Sequence, residues 1–321
     1  MIEQKLVSTR GRTQSMTRFI LLAAALVISP CSVARAQPTF TTGIDLVRFG
    51  VTVIDREGNF VTDLVEGDFE IQEEGVEQSI SYFVGPNTPE ATSPPLHLGL
   101  LFDTSASMET DLRLARTAAI KFLNTVRQAE DITLVDFDTE VRVGRYRQSD
   151  FPRLIERIRG QKPDGWTALY DALGVYLDGA AAQDGQKILV LYTDGSDTRS
   201  EVSYGEALDL VKASDVTVYA IGFLKNDPGN ARLMRRVRTL AETTGGDVFL
   251  PLTADPLDEI YAQIAEEIAA RYSFGYASTD TRTDGAWREV RVKLSSTRSE
   301  LDGATVRTRR GYFGPYRPPE S

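Results

Sequence analysis

The sequence predicts an α/β fold built on a doubly wound, mostly parallel sheet, with shorter all-strand segments before and after it. Three observations favour this fold. Predicted strands and helices alternate from residue 97 to about residue 270, two predicted strands are almost wholly apolar, and the flanking segments carry strands without helices. Alternating strands and helices give parallel sheets that are covered by helices, and strands buried on both faces read as continuous apolar runs.

The start of the chain predicts export. About ten apolar residues follow Arg18, and Ala34-Arg35-Ala36 supplies the small residues that signal peptidase requires. This run is too short to span a membrane, which takes roughly 20 apolar residues. A lipid anchor on Cys31 is the weaker alternative, because the residue before it is not small. We therefore expect residues 1–36 to be a signal peptide cleaved after Ala36, and a periplasmic or secreted protein.

Charge and cysteine content exclude several functions. The full sequence has a net charge of −10 and one cysteine. Residues 1–36 contain that cysteine, five basic residues and one acid, so cleavage after Ala36 would leave a mature chain with no cysteine and a net charge of −14. Disulfides, thiolate metal sites and a cysteine nucleophile are thereby excluded. Nucleic acid is a poor partner for so acidic a chain, and we expect no membrane insertion of the mature protein.

Residues 37–89 predict an N-terminal β segment. Mixed apolar and polar residues at Ile44–Ile54, Phe69–Gln72 and Gln78–Val84 are typical of strands. The proline-rich stretch Pro86–Pro95 then predicts a linker that leads directly into the first apolar strand.

A carboxylate follows that strand. The apolar run Leu98–Phe102 ends at Asp103, and Ser105 and Ser107 follow at alternate positions. Ligands bind open α/β sheets at the carboxyl ends of their strands. A tight loop there would direct three hard oxygen atoms to one point, which suits Mg²⁺. The alternative is a helix N-cap, since Asp and Ser also satisfy free backbone N–H groups before a helix.

The remaining elements continue the alternation through the central region. Amphipathic stretches predict helices and apolar stretches predict strands. In chain order they are the helix Leu112–Val126, the strands Ile132–Phe137 and Val141–Tyr146, the helices Phe151–Ile158 and Thr167–Ala182, the strand Ile188–Thr193, the helix Tyr204–Ala213, the strand Val216–Ile221, the helix Ala231–Glu242, the strand Val248–Leu250 and the helix Pro256–Ala270.

Two further elements meet the first site. The strand Ile188–Thr193 ends in Asp194-Gly195, and Gly165-Trp166-Thr167 places a hydroxyl at a helix start. With these residues the sequence resembles the von Willebrand factor type A (VWA) domain over roughly residues 94–270. That family has a metal-ion-dependent adhesion site (MIDAS) made of Asp-x-Ser-x-Ser, a loop Thr and a loop Asp. The matching residues are Asp103, Ser105, Ser107, Thr167 and Asp194.

The resemblance implies a ligand set and a partner. Ser105 and Ser107 would bind a divalent cation directly, Asp103 and Asp194 would bind it or its waters, and Thr167 would alternate between the two. Mg²⁺ is the expected ion, with Mn²⁺ or Ca²⁺ as alternatives. Two carboxylates and three hydroxyls leave an exchangeable coordination position. An Asp or Glu of a protein partner could take that position.

The C-terminal region predicts further strands that pair with the N-terminal ones. The motifs Arg271–Tyr276, Asp284–Arg288 and Arg307–Phe313 resemble the tail of exported bacterial proteins called von Willebrand factor A-related. We expect residues 271–316 to form strands that pack with residues 37–89. Because neither segment has enough strands for a stable sheet alone, together they would form a small β-sandwich-like domain into which the VWA domain is inserted.

Enzymatic functions find little support. Ser105 stands where the haloacid dehalogenase pattern requires a second Asp, and the only histidine, His97, lies about 20 Å along the strand from Asp103. Asp136 and Asp138 are expected in a solvated loop, with a second cation as the alternative. We therefore predict a non-enzymatic, metal-dependent adhesion or scaffolding module. The alternative is a structural or assembly subunit of the cell envelope in which the metal only stabilises the fold.

Overall fold

The computed structural model describes residues 46–88, 94–126, 128–223, 228–295, 298 and 301–318. The expected signal peptide, its cleavage site and part of the expected linker lie outside these residues. The described residues all belong to one compact unit, Ile44–Ser321. None of their helices combines the length and hydrophobicity that crossing a bilayer requires.

The elements follow the predicted alternation. The strands are β1 (Leu46–Ile54), β2 (Phe69–Glu73), β3 (Val76–Gln78), β4 (Ile80–Val84), β5 (Leu96–Asp103), β6 (Ala129–Phe137), β7 (Val141–Arg147), β8 (Gln186–Thr193), β9 (Thr217–Gly222), β10 (Val248–Phe249), β11 (Tyr272–Ala277), β12 (Trp287–Leu294), β13 (Thr305–Thr308) and β14 (Gly311–Phe313). The helices are α1 (Leu112–Thr125), α2 (Phe151–Gly160), α3 (Leu169–Ala181), α4 (Tyr204–Ala213), α5 (Pro228–Thr243) and α6 (Leu257–Ala269).

Six of the described strands form the central sheet, in the order β10-β9-β8-β5-β6-β7. Neighbouring strands are parallel except β6 and β7, which form an antiparallel pair. The central position of β5 means that it pairs with β6 on one side, from Leu96 to Asp103, and with β8 on the other, from Leu96 to Phe102. The predicted doubly wound, mostly parallel sheet is confirmed.

Helices cover both faces of this sheet because successive side chains of β5 point to opposite faces. Leu98, Leu100 and Phe102 pack in a core with residues of α1, α2 and α6. Leu101 packs in a second core with residues of α3, α4 and α5. The strand is therefore buried on both faces, as its continuous apolar run predicts.

Strands from the two ends of the described chain pair with one another. One antiparallel sheet has the order β13-β1-β11-β4, and another has the order β14-β12-β2-β3. Phe49 of β1, Phe69 of β2 and Phe274 of β11 lie in one shared core. The predicted combination of N- and C-terminal strands in antiparallel sheets is confirmed, whereas the expected domain boundaries stay predictions.

One predicted strand is wrong. The stretch Gln78–Val84 is divided at Ser79 into β3, which pairs with β2, and β4, which pairs with β11 in the other sheet. The helix predicted from Thr167 begins at Leu169 instead. Backbone groups of Thr167 and Ala168 bond to neighbouring loops, so these residues do not join the helix.

Buried charges attach the terminal sheets to the central core. Glu267 of α6 lies 3.4 Å from Arg307 of β13, and Arg307 also pairs with Asp247 at 3.0 Å. Burial raises the pKa of the Glu267 carboxyl, and the charges of Arg307 and Arg271 oppose that rise. Removing one member would leave an uncompensated buried charge, which is strongly destabilising. The contact therefore fixes α6 against β13.

A pair of glycine substitutions tests the close packing of the loop after α5 against β9. A Cβ at Gly246 would overlap the backbone carbonyl oxygen of Val218, whereas a Cβ at Gly179, on an exposed position of α3, would meet nothing within 4 Å. We expect Gly246→Ala to lower the free energy of unfolding by more than about 2 kcal/mol. The matched control Gly179→Ala should raise it by up to about 1 kcal/mol, because alanine is the better helix former. Urea denaturation measures both, and equal effects would contradict the described position of Gly246.

Candidate functional site

The carboxyl edge of the central sheet brings the predicted site residues together. Asp103 ends β5, and Asp194 directly follows β8, the parallel neighbour of β5. Thr167 lies in the loop before α3. Asp103, Thr167 and Asp194 are each less than 5% exposed, so the site is set into the sheet edge.

Asp103 is the centre of a hydrogen-bond network. Its Oδ1 accepts from the Ser105 hydroxyl at 2.6 Å and from the Ser105 backbone N–H at 3.0 Å. Its Oδ2 accepts from the Thr193 hydroxyl at 2.7 Å. The hydroxyls of Ser105 and Ser107 are 3.0 Å apart. The Asp-x-Ser-x-Ser segment thus forms a compact turn in which three oxygen-bearing side chains converge.

Backbone hydrogen bonds tie the Thr167 loop to both neighbouring loops. The carbonyl oxygen of Thr167 accepts from the N–H groups of Thr198 and Arg199 at 2.9 and 3.0 Å. The Ala106 N–H donates to the Gly165 carbonyl oxygen at 3.2 Å, which connects this loop with the turn after β5. These bonds fix the relative positions of the three loops.

Burial raises the pKa of the Asp103 carboxyl from its ordinary value of 3.8 to about 7. Hydrogen bonds from Ser105 and Thr193 stabilise the charged form and oppose the rise, whereas the nearby charge of Asp194 adds to it. Asp194 is itself 4% exposed, and its Oδ1 accepts from the Ser196 N–H at 2.9 Å. Two carboxylates that repel each other are therefore buried at one edge.

Other buried carboxylates of the central sheet have basic partners. Asp136 pairs with Arg142 at 2.8 Å and with Arg157 at 2.5 Å. Asp131 pairs with Arg145 at 2.5 Å. By contrast, no basic side chain in the described part of the chain forms an ion pair with Asp103. The same holds for Asp194.

This donor set fits a hard divalent cation. Buried carboxylates are normally paired with a positive charge or coordinate a metal. No group of three or more Asp, Glu, His or Cys side chains that could hold a metal occurs among the described residues. A cation at this edge would therefore take its further ligands from hydroxyl oxygens, and Ser105, Ser107 and Thr167 carry them.

Two expectations about other acidic residues are corrected by the geometry. Asp136 does not lie in a solvated loop: it is 1% exposed within β6. The guanidinium of Arg142 bridges Asp136 and Asp138, with contacts of 2.8 and 2.6 Å, so both carboxylates already have a positively charged partner. His97 is buried and contacts Asp131 and the carbonyl oxygen of Asp184 at the opposite edge.

Sequence reasoning missed two residues of the site. Thr193 donates to Asp103, but the last residue of an apolar strand gives no signal of this contact. Trp166 is 64% exposed beside Thr167. Its backbone N–H donates to the Thr139 hydroxyl at 2.9 Å, and Gly165 before it has a φ of +70° that favours glycine. The loop thus holds an exposed indole at the rim of the site.

Comparisons with known proteins give a family match and several similar solved structures. A family model described as the von Willebrand factor type A domain matches residues 97–263. No curated protein matches the chain. Solved structures that are similar in fold include a von Willebrand factor type A protein from Catenulispora acidiphila, with 15% identity, a TM-score of 0.47 and coverage of 80% of this chain and 75% of that chain.

Two pilus proteins are also similar. The vWF domain of the type V pili tip protein Mfa5 from Porphyromonas gingivalis has 15% identity and a TM-score of 0.45, with coverage of 55% of this chain and 96% of that chain. The PilB minor pilin from Streptococcus sanguinis has 13% identity and a TM-score of 0.46, with coverage of 69% and 87%, respectively.

The raised pKa of Asp103 predicts a pH effect on the metal-free protein. Since the folded state binds this proton more tightly than the unfolded chain, its contribution to stability is present below pH 3.8 and is lost as the pH rises through about 7. Asp103→Asn removes this loss. Between pH 5 and pH 8, we expect the stability of the variant relative to wild type to rise by about 1 to 3 kcal/mol.

Urea denaturation in EDTA measures this difference. The control is Asp164→Asn, because Asp164 is exposed in a neighbouring loop and its Oδ1, which asparagine retains, accepts from the Gly165 N–H. A relative stability of Asp103→Asn that does not change with pH would contradict the described burial of Asp103.

Proposed function

Because the chain belongs to the von Willebrand factor type A family, we propose that it is a protein-binding module that captures a carboxylate through a divalent cation. The observation that carries this proposal is the absence of a basic partner for Asp103 and Asp194 among the described residues, although both are buried. The proposal assigns no catalytic residue. It places the protein in the periplasm or outside the cell, where adhesion or scaffolding would take place.

Each side chain of the site has a proposed role. Asp103 and Asp194 supply the negative charge that attracts the cation, and the hydroxyls of Ser105, Ser107 and Thr167 supply neutral oxygen ligands. Mg²⁺ fits this hard-oxygen set, and Mn²⁺ or Ca²⁺ are alternatives. When bound, the cation supplies a coordination position for an Asp or Glu oxygen of the partner. Thr193 positions Asp103 through the bond to its Oδ2.

Electrostatics supports the need for a cation. The full chain has a net charge of −10, so its overall field repels an acidic partner. The two carboxylates of the site would strengthen that repulsion at short range. A divalent cation would neutralise these two charges and offer an oxygen of the partner a coordination position, and capture of a carboxylate should therefore depend on it.

Trp166 supplies a second kind of contact at the same edge. An exposed tryptophan on a fixed loop offers a large apolar surface, and tryptophan is enriched among the residues that dominate binding energy in protein interfaces. We propose that the partner places an apolar side chain on Trp166 while its carboxylate enters the site. The indole would then contribute affinity that does not depend on the metal.

Removal of the metal tests the main proposal. EDTA should abolish capture of partners from an envelope extract, because the carboxylate then meets two uncompensated charges. It should lower the melting temperature by less than about 10 °C, since a ligand at 100 times its Kd contributes only about 2.7 kcal/mol. Affinity capture with and without Mg²⁺, and melting curves under the same conditions, measure both effects.

The variant Asp103→Asn should reproduce the effect of EDTA on capture, and the control Asp164→Asn should behave as wild type. Capture that persists in EDTA would contradict the proposal. Unfolding of the protein by EDTA would instead support the alternative role, a structural or assembly subunit in which the metal stabilises the fold.

Substitution of Trp166 separates the apolar contact from the metal. We expect Trp166→Ala to weaken partner capture at least about tenfold, because the loss of a central tryptophan commonly costs 2 kcal/mol or more. The affinity for Mg²⁺, measured by calorimetric titration, should stay within about twofold. Val65→Ala is the control, since Val65 is 62% exposed on the N-terminal segment. Equal losses for both variants would refute a specific role of Trp166.

A further inference from the structure

A basic cleft lies between the terminal strands and the loop after α5. It has a volume of about 510 Å³ and is lined by residues 290–293 of β12, residues 306–310, the loop residues 245–247 and Glu242 of α5. Binding sites for small ligands and peptide side chains are commonly of this size. The cleft is built largely by strands outside the residues that match the VWA family model.

Half of β12 presents an open edge to this cleft. β14 pairs with β12 only over Trp287–Glu289, and the next bond on that side runs from the Val290 N–H to the Arg310 carbonyl oxygen at 3.0 Å. The chain before Arg310 leaves β12, because β13 pairs with β1 in the other sheet. The strand thus loses its neighbour halfway along its length.

The direction of the open backbone groups follows from the ladder. Val290 points its N–H towards the cleft, whereas the Glu289 carbonyl oxygen accepts from the Glu74 N–H on the opposite side. Alternate residues of a strand direct these groups to the same side. Val292 and Leu294 therefore direct their N–H and C=O groups to the same side as Val290, and no described strand pairs with them there.

Basic side chains surround this edge. Arg291 and Lys293 are exposed on the outer face of β12 at a spacing of two residues. Arg307 and Arg310 lie on the other wall. Arg307 is held by Asp247 and Glu267, and Arg291 by Glu289. Lys293 and Arg310 have no ion-pair partner in the described part of the chain. A local positive surface is thus present on a chain whose net charge is −10.

We propose that this cleft binds an extended acidic segment of a partner protein, which adds a strand to the open edge of β12. The backbone groups of Val292 and Leu294 would bond to the added strand. Its acidic residues, at alternate positions, would face Arg291 and Lys293, because side chains two residues apart lie about 7 Å apart on one face of a strand. Strand addition of this kind obtains affinity from main-chain bonds and specificity from the side chains.

This second surface is independent of the carboxyl-edge site. Its contacts use backbone groups and arginine or lysine side chains, so binding needs no metal. It is therefore tested in EDTA with the full chain. The probe is a fluorescent peptide with the core Val-Asp-Val-Glu-Val, and fluorescence anisotropy measures its dissociation constant.

The double variant Arg291→Glu with Lys293→Glu should weaken binding of this peptide at least about tenfold, because it reverses both charges that face the added strand. The control is Arg113→Glu with Arg153→Glu, which makes the same change in net charge on exposed positions of α1 and α2. We expect the control and Asp103→Asn to bind within about twofold of wild type. A peptide N-methylated at the alternate residues whose N–H groups would face β12 should not bind, since it cannot complete the ladder.

Several results would overturn the proposal. No saturable binding up to about 1 mM peptide would mean that the basic residues only protect the edge from aggregation. Equal losses in the two double variants would show unspecific attraction, and loss in Asp103→Asn would place the peptide at the other site. Unchanged binding of the N-methylated peptide would exclude strand addition. Equal affinity for a single-stranded oligonucleotide of the same charge would also contradict it, because charge alone would then account for binding. If the double variant fails to fold, the N-methylated peptide decides.

Discussion

The pairing of β5 on both sides is the constraint on which the site depends. β6 bonds to this strand up to Asp103 and β8 up to Phe102, and cores on both faces bury its side chains. Asp103 is therefore held at a fixed position with no exposure to solvent. The turn after β5 and the loops at Thr167 and Asp194 are arranged around that carboxylate, and the hydrogen bonds between them keep it there.

The lack of a basic partner for its buried carboxylates distinguishes this edge from the other described parts of the molecule. Asp136 has two arginine partners, and Glu267 is paired with Arg307 where the terminal sheets meet the core. Arginine side chains neutralise the buried acids in these places. Asp103 and Asp194, by contrast, have no basic partner among the described residues. The cost of that arrangement is the raised pKa of Asp103. A bound cation would offset this cost, because its positive charge favours the ionised form of Asp103.

Local patterns predicted most of the strands and helices and indicated the site residues, because apolar strands and the Asp-x-Ser-x-Ser turn are encoded by neighbouring residues. Contacts between distant residues could not be predicted in this way. The strand expected at Gln78–Val84 is continuous in its pattern, yet its halves join different sheets through partners in β2 and β11. Likewise, the solvated loop expected at Asp136 fails because its arginines come from β7 and α2. The roles of the five proposed ligands stay predictions.

The most direct test of the central claim is a crystal structure of the protein grown with Mn²⁺, with anomalous differences measured at the manganese edge. Manganese shares the oxygen ligands of Mg²⁺ and can be located without reference to the protein phases. The proposed cation site predicts one strong peak within about 2.5 Å of oxygen atoms of Ser105 and Ser107, between Asp103 and Asp194. A fully occupied peak elsewhere, or none at this edge at millimolar Mn²⁺, would contradict it.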